Sequence, residues 1–471
     1  MRVLPIRRAL TVTVIAVACL LAPLVPGPAA SAVAVPCSLC GGGEFHPLTP
    51  TRVFDSRPGS AINDVSPVGV KATGPTEPSF DIQLLGVSGA PAGLPTAASD
   101  VLAVVVSIAV VAPTRNGYLS AHASDVAAST SAAVTYRAGQ TVSNLAFVRP
   151  GADGRVTIHL GSSTVGTAHV VVDVFGFLSS SSYDAGTPFD AGAEDGNQSD
   201  ERGARLIVVT PGRLLDTRVS QGGAGPLGAG ESRSILVRGA AGVPADTDVS
   251  GVVLNVAGVR PTLTTYLSVL ADAPVGAPGT ANVNVVPGQT KANLVMVPVG
   301  ADGRVHLYNH LGSTEVVIDL MGYYLDGEPE GTRSGRVVPL SQPYRVLDTR
   351  SPSFGAVPLG PGQAETWSFA NFASSVNIGG VSVGNQAGLI GNLVNATLAR
   401  QYPTQSVEPS YLTVWPNGVA RPTAANLNSV ENAAVPNLAV VRYGGAQQVD
   451  VFNSRGYAHY VLDVSAVVLA N

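Results

Sequence analysis

The phrase Arg-x-x-Asp-(Ser/Thr)-Arg occurs three times in this chain, as Arg52-Val-Phe-Asp55-Ser56-Arg57, Arg213-Leu-Leu-Asp216-Thr217-Arg218 and Arg345-Val-Leu-Asp348-Thr349-Arg350. Two guanidinium forks around a carboxylate and a hydroxyl could hold a carboxylate, a phosphate or an acidic sugar through paired hydrogen bonds. A structural reading carries more weight. Each unit ends in an apolar run carrying one aspartate, Asp173, Asp319 or Asp463, and a carboxylate in such a run needs a partner because an unpaired buried charge is strongly unfavourable. We therefore expect a clasp between first and last strands in each unit. Its members are Arg52, Asp55, Arg57 and Asp173; then Arg213, Asp216, Arg218 and Asp319; then Arg345, Asp348, Arg350 and Asp463.

Asparagines recur as well. Asn282, Asn284, Asn293, Asn309 and Asp319 map onto Asn426, Asn428, Asn437, Asn453 and Asp463, every pair 144 residues apart. Asn282 and Asn284, like Asn426 and Asn428, are spaced to share one face of a strand. With Asn293 or Asn437 and the nearby Tyr266 or Tyr411, they compose an aromatic-edged polar surface suited to sugar hydroxyls. Trp415, beside an apparent strand-to-turn edge, could stack on a sugar ring. The weightier alternative makes these asparagines buried ties between strands and loops, and the tryptophan a core residue. Unit one has Ala133 and Thr135 at the paired positions, and Ser107 where unit two has Asn255. A binding face would be weakened or changed there.

Signals for catalysis are sparse. Gly380-Val381-Ser382-Val383-Gly384 matches the nucleophile-elbow pattern, but that elbow works between a strand and a helix, and nothing around it supplies a helix. The seven histidines neither recur at equivalent positions nor show metal-ligand spacing. No repeated carboxylate pair suggests glycoside hydrolysis. No catalytic residue, metal or cofactor is expected. Cys37 and Cys40 form Cys-Ser-Leu-Cys ahead of three glycines. Without a following helix to lower a thiol pKa, a local disulfide or a link to another chain is the better reading than redox catalysis.

The elements that must position these residues are strands. Short runs of Val, Ile, Leu and Thr, such as Leu102-Ala-Val-Val-Val-Ser-Ile-Ala-Val-Val, recur between Gly, Pro, Asn and Asp clusters. Asp153-Gly154 and Asp302-Gly303 fit tight hairpin turns, with Gly444-Gly445 serving similarly in unit three. Units of this length predict an all-β chain of three tandem antiparallel β-sandwich, jelly-roll-like domains; a single propeller is disfavoured because the period is two to three times a blade's length. The repeats span residues 45–178, 205–326 and 336–470. The acidic, Gly-rich linker 179–204 should leave unit one freer than units two and three, which the short linker 327–335 joins.

Residues 1–32 have a basic head, an apolar run and a small-residue cleavage site, so they read as an export signal, followed by a Cys/Gly-rich segment, 33–44. Ala16-Val17-Ala18-Cys19 gives a poorer lipoprotein match. No other apolar run reaches the length of a membrane span. A net charge of -5 supplies no basic footprint, which argues against nucleic acid or an anionic membrane as partner.

Taken together, Arg-x-x-Asp-Thr-Arg, Tyr-Leu-(Ser/Thr)-Val, Asn-x-Asn, Val299-Gly-Ala-Asp-Gly-Arg-Val and Val-x-Asp-x-x-Gly-Tyr resemble a tandem-repeat domain of exported actinobacterial cell-surface and secreted proteins, sometimes found beside cell-wall hydrolase domains. The resemblance covers essentially the whole chain after the signal and implies an exported accessory or surface role, with no catalytic residues to carry over. The expectation is a secreted, non-enzymatic protein binding cell-wall or extracellular polysaccharide through several weak sites. A structural or adhesive spacer that binds other surface proteins is the alternative, and a hydrolase or hydrolase accessory the third reading.

Overall fold

The computed structural model describes residues 42–59, 69–87, 89–127, 131–180, 183, 203–246, 248–326, 334–352, 357–370, 372, 377–378, 381–382, 388–401, 409–429 and 434–470, all within one compact unit, Cys37–Asn471. The expected signal segment, Cys19, Cys37, Cys40 and most of both linkers lie outside the described residues. The protein is 56% strand and 4% helix, so the β-branched runs do become strands.

The first repeat contains β1 (Phe45–Asp55), β2 (Lys71–Thr73), β3 (Ser79–Gln83), β4 (Val101–Val111), β5 (Gly117–Ala123), β6 (Val134–Tyr136), β7 (Val142–Val148), β8 (Arg155–Gly161) and β9 (Gly166–Ser179). The second contains β10 (Arg205–Asp216), β11 (Ser232–Leu236), β12 (Val249–Val259), β13 (Thr265–Leu270), β14 (Val283–Val285), β15 (Thr290–Pro298), β16 (Arg304–Asn309) and β17 (Glu315–Leu325). The third contains β18 (Val337–Asp348), β19 (Ala364–Ser368), β20 (Asn377–Ile378), β21 (Val381–Ser382), β22 (Leu389–Gln401), β23 (Tyr411–Pro416), β24 (Leu427–Asn428), β25 (Val435–Arg442), β26 (Gln448–Asn453) and β27 (Ala458–Leu469).

Each repeat builds two antiparallel sheets. The orders are β1-β9-β4-β7 and β3-β8-β5-β6, then β10-β17-β12-β15 and β11-β16-β13-β14, then β18-β27-β22-β25 and β19-β26-β23-β24, with β2 beside β9 and β20 paired to β21. These six small sheets stand in a ring, a propeller-like arrangement, which corrects the expected row of three separate sandwiches.

The reason lies in where the apolar faces go. Val104, Val106 and Ile108 of β4 join Ile82, Leu119 and Ile158 in a cluster internal to the first repeat, and the other two repeats have counterparts. A fourth cluster draws on all three repeats, from Phe45, Leu102 and Val105 through Leu206 and Met296 to Leu393 and Val468. Strands that read as unbroken apolar runs need cover on both faces, and the neighbouring repeats provide the second cover. Unit one is therefore not the freely moving module its linker suggested.

The starts of the three repeats also bond to one another. Gly43 and Val337 exchange backbone hydrogen bonds at 2.8 and 2.9 Å, and Phe45 and Ala204 do so at 2.8 Å. Glu44 accepts from Arg205 Nε at 3.3 Å and pairs with Arg336 Nη2 at 3.0 Å. Asp-Gly does supply positive φ, 74° at Gly154 and 76° at Gly303. The turn does not close a hairpin, however, because β7 and β8, like β15 and β16, lie in different sheets. In the third repeat Ala446 and Gln447 take the positive φ in place of the expected glycines.

Candidate functional site

A shared irregularity positions the recurrent arginines. In β1, β10 and β18 the ladder to the last strand slips twice, and between the slips Arg52 stands opposite Asp173, Arg213 opposite Asp319 and Arg345 opposite Asp463. Each arginine Nε donates to that aspartate at 2.8 Å. The motif aspartate accepts from the backbone N–H and the Nε of the arginine two residues on: 3.0 and 2.9 Å for Asp55, 3.2 and 2.8 Å for Asp216, 3.1 and 2.7 Å for Asp348. The intervening hydroxyl of Ser56, Thr217 or Thr349 accepts the N–H of Val170, Val316 or Tyr460, each at 2.9 Å. The first arginine and the intervening hydroxyl thus hold the first strand to the last, while the second arginine braces the motif aspartate.

The carboxylates respond oppositely to this setting. Burial raises the Asp173 and Asp319 pKa values above the ordinary carboxylate value, with Arg52 and Arg213 only partly offsetting it. Asp216 lies below that value, through its hydrogen bonds from Arg218 against a smaller desolvation effect.

The clasps also face the next repeat around. Arg52 Nη2 donates to Gly279 O at 3.0 Å, and Arg213 Nη2 to Thr423 O at 2.9 Å. At the junction of repeats three and one, Ser131 Oγ donates to Asp463 Oδ2 at 2.9 Å.

The asparagines are buried at these same junctions, so the solvent-facing sugar surface expected from Asn282, Asn284, Asn293, Asn426, Asn428 and Asn437 is not what they form. Asn282 Oδ1 accepts the Val269 N–H at 2.7 Å and Asn426 Oδ1 that of Val414 at 2.6 Å, each capping a strand end. Asn293 Nδ2 donates to Asn282 O at 2.7 Å and to Ser143 O, in repeat one, at 2.9 Å. Asn437 Nδ2 donates to Asn426 O and to Asn255 Oδ1, while its own Oδ1 accepts the Leu294 N–H at 3.0 Å. Half-buried Asn284 donates to Ser143 Oγ at 3.1 Å, and Asn428 stands opposite Tyr411 in the β23–β24 ladder.

The aromatic residues follow suit. Trp415 is buried and donates to Val419 O at 3.1 Å, which removes it as an open platform. Tyr266 stacks on His310 with centroids 4.5 Å apart, and its hydroxyl donates to Pro278 O. Tyr411 sits 6.0 Å from Phe452. Ser382 lies in the two-residue strand β21, while Gly380 and Gly384 fall outside the described residues.

Sequence reasoning missed a cavity. The junction of repeats three and one opens into a space of about 530 Å³, where the leading ends of β7, β15 and β25 come together. Its wall includes Tyr118, Thr135 and Tyr136 of repeat one, Gln289 and Lys291 of repeat two, and Arg345, Arg350 and Asp463 of repeat three. The signal was present: Thr135 replaces the asparagine found in the other repeats, and Lys291 stands where they have Val142 and Val435. Lys291 is 6% exposed, and among the described residues its Nζ has only a long, 3.5 Å contact with Ser143 O. Burial lowers its pKa to about 8. Gln289 Oε1 is buried and accepts no hydrogen bond from the described residues. Among those residues no group of His, Cys, Asp and Glu is placed to hold a metal ion, and no helix is long and apolar enough to cross a membrane.

No family model matches the chain, and no curated protein does. Solved structures overlap it only loosely. The triple jelly roll turret protein of an archaeal virus is 11% identical over 90% of both chains, with a TM-score of 0.15. A tandem CBM22 domain of Paenibacillus barcinonensis Xyn10C is 10% identical, covering 55% of this chain and 98% of its own, with the same score. A Sulfolobus Turreted Icosahedral Virus chain is 10% identical over 90% and 91%, again at 0.15. Overlap at that level carries no argument about fold or function.

Proposed function

We propose that this is an exported, non-enzymatic binding protein of the cell envelope or extracellular space, and that it holds polysaccharide in the cavity between its third and first repeats. The basic, apolar N-terminal segment supports export. The repeat's resemblance to exported actinobacterial surface domains supports the envelope. Within the ring we read each repeat as a jelly-roll-like pair of sheets. In strand positions along the repeat, counted without β2, β20 and β21, one sheet runs first-eighth-third-sixth and its partner second-seventh-fourth-fifth.

The observation that carries the reading is the cavity itself. It is large enough for a sugar unit or two, and its wall mixes tyrosine rings with hydrogen-bonding groups, as saccharide sites do. Binding suits it better than hydrolysis. Asp463 is the one carboxylate in the described wall, and Arg345 holds it at 2.8 Å, whereas glycoside hydrolysis ordinarily needs two carboxyl groups across the scissile bond. The buried asparagines replace the expected array of equivalent weak sites with one site per chain.

Pull-down with purified cell wall tests this. Retention abolished by soluble polysaccharide supports it, and retention unaffected by every glycan tried would favour a spacer that binds other proteins.

A further inference from the structure

Lys291 is an anomaly that glycan binding alone does not explain. Taking an ammonium out of water is costly unless a counter-charge or several acceptors replace the solvent, and here one carbonyl lies at 3.5 Å. Two other charges in the wall are already matched, Arg345 with Asp463 and Arg350 with Asp348 at 2.6 Å. Arg137 also lines the space and has an interaction of its own. Lys291 therefore leaves one positive charge without a matching carboxylate in the described wall. Beside it, the Gln289 Oε1 is an acceptor awaiting a donor.

We propose that the cavity selects a monoanionic saccharide unit, its acid group seated on the Lys291 ammonium and a neighbouring hydroxyl donating to Gln289 Oε1. The inference rests on the glycan reading above and narrows it to an acidic sugar. A uronate carboxylate and a phosphodiester-linked sugar share the required chemistry: one negative charge beside hydroxyl donors. Each would supply the counter-ion that Lys291 lacks, and a charge-assisted hydrogen bond in a desolvated site is worth more than a neutral one. A neutral sugar would leave the ammonium unmatched. The depressed pKa of Lys291 adds a pH signature, because the empty site loses its charge as pH rises through about 8. Tyr118 and Tyr136 are pushed up to about 12 and stay neutral through that range.

The test is calorimetric titration of the exported chain at pH 6.5 with three probes: a neutral glucose disaccharide, its glucuronate counterpart, and a glycerol-phosphodiester-linked glucose. The expected result is one site per chain and a preference of roughly ten-fold or more for one or both anionic probes. Lys291→Met should abolish that preference without lowering Tm, and pH 9.5 should shrink it in the wild type. The anionic probe that binds more tightly identifies the source of the charge. Equal affinity for all three, or a preference surviving in Lys291→Met, overturns this inference alone. Binding of none overturns the glycan reading along with it.

Discussion

The junction between repeats two and three and the junction between repeats three and one use the same clasp to different ends. At the first, Arg213 reaches Thr423 O and Asn437 bridges to Asn255 and Leu294. At the second, the contacts among the described residues include the Ser131 hydroxyl on Asp463, Asn395 Nδ2 on Ala132 O at 2.7 Å and a longer, 3.5 Å approach of Asn144 Nδ2 to Asn395 Oδ1, and a cavity of about 530 Å³ opens beside them. A repeated motif therefore marks the frame. Function is better sought where one copy departs from the others.

The largest expected effect breaks the closed junction. Arg213→Met leaves Asp319, 2% exposed, without its counter-ion and should destabilise by about 3–5 kcal/mol in chemical denaturation. Arg345→Met should cost a similar amount, because Asp463 is as deeply buried, 1% exposed. A much smaller loss would show that water reaches Asp463 through the cavity.

Next comes the carboxamide bridge. Asn437→Ala removes bonds to Asn426 and Asn255 and orphans the Leu294 N–H, a loss of about 2 kcal/mol or more. Asn144→Ala should lose about 1 kcal/mol. The reverse order would undo the contrast between the two junctions.

Lys291→Met sharpens the contrast through pH. The folded-state pKa of this lysine lies below its unfolded value, so the folded protein binds fewer protons here and the charged amine opposes folding below about pH 8. That penalty fades as pH rises from about 8 toward the ordinary lysine value. The variant should therefore melt higher than wild type at pH 7, with the gap in Tm narrowing by pH 10. A gap that is constant with pH would mean the lysine is solvated. The smallest effect belongs to Thr135→Asn, which restores the residue of the other repeats. It should leave Tm within a degree or two while reducing saccharide binding by occlusion.

How legible this was in the sequence differs from residue to residue. The clasps could be read because an aspartate in an apolar strand demands a partner and the recurrent arginines were the obvious candidates. The ring could not, because a doubly apolar strand such as Leu102 to Val111 says that something covers its second face and not which repeat does so. Asn282 and Asn437 were ambiguous by chemistry: a carboxamide suits a sugar hydroxyl and a buried N–H equally well. The cavity was half legible. Thr135 and Lys291 were visible as departures, but their meeting depends on the three repeats converging, which spacing does not encode.

Hydrogen–deuterium exchange of the full chain, with and without a saturating acidic polysaccharide, compares the three junctions in one experiment. The account predicts added protection confined to amides of residues 134–136, 142–144 and 289–291, with the closed junctions unchanged. Equal protection at all three junctions, or added protection only on the outer sheets, would contradict it.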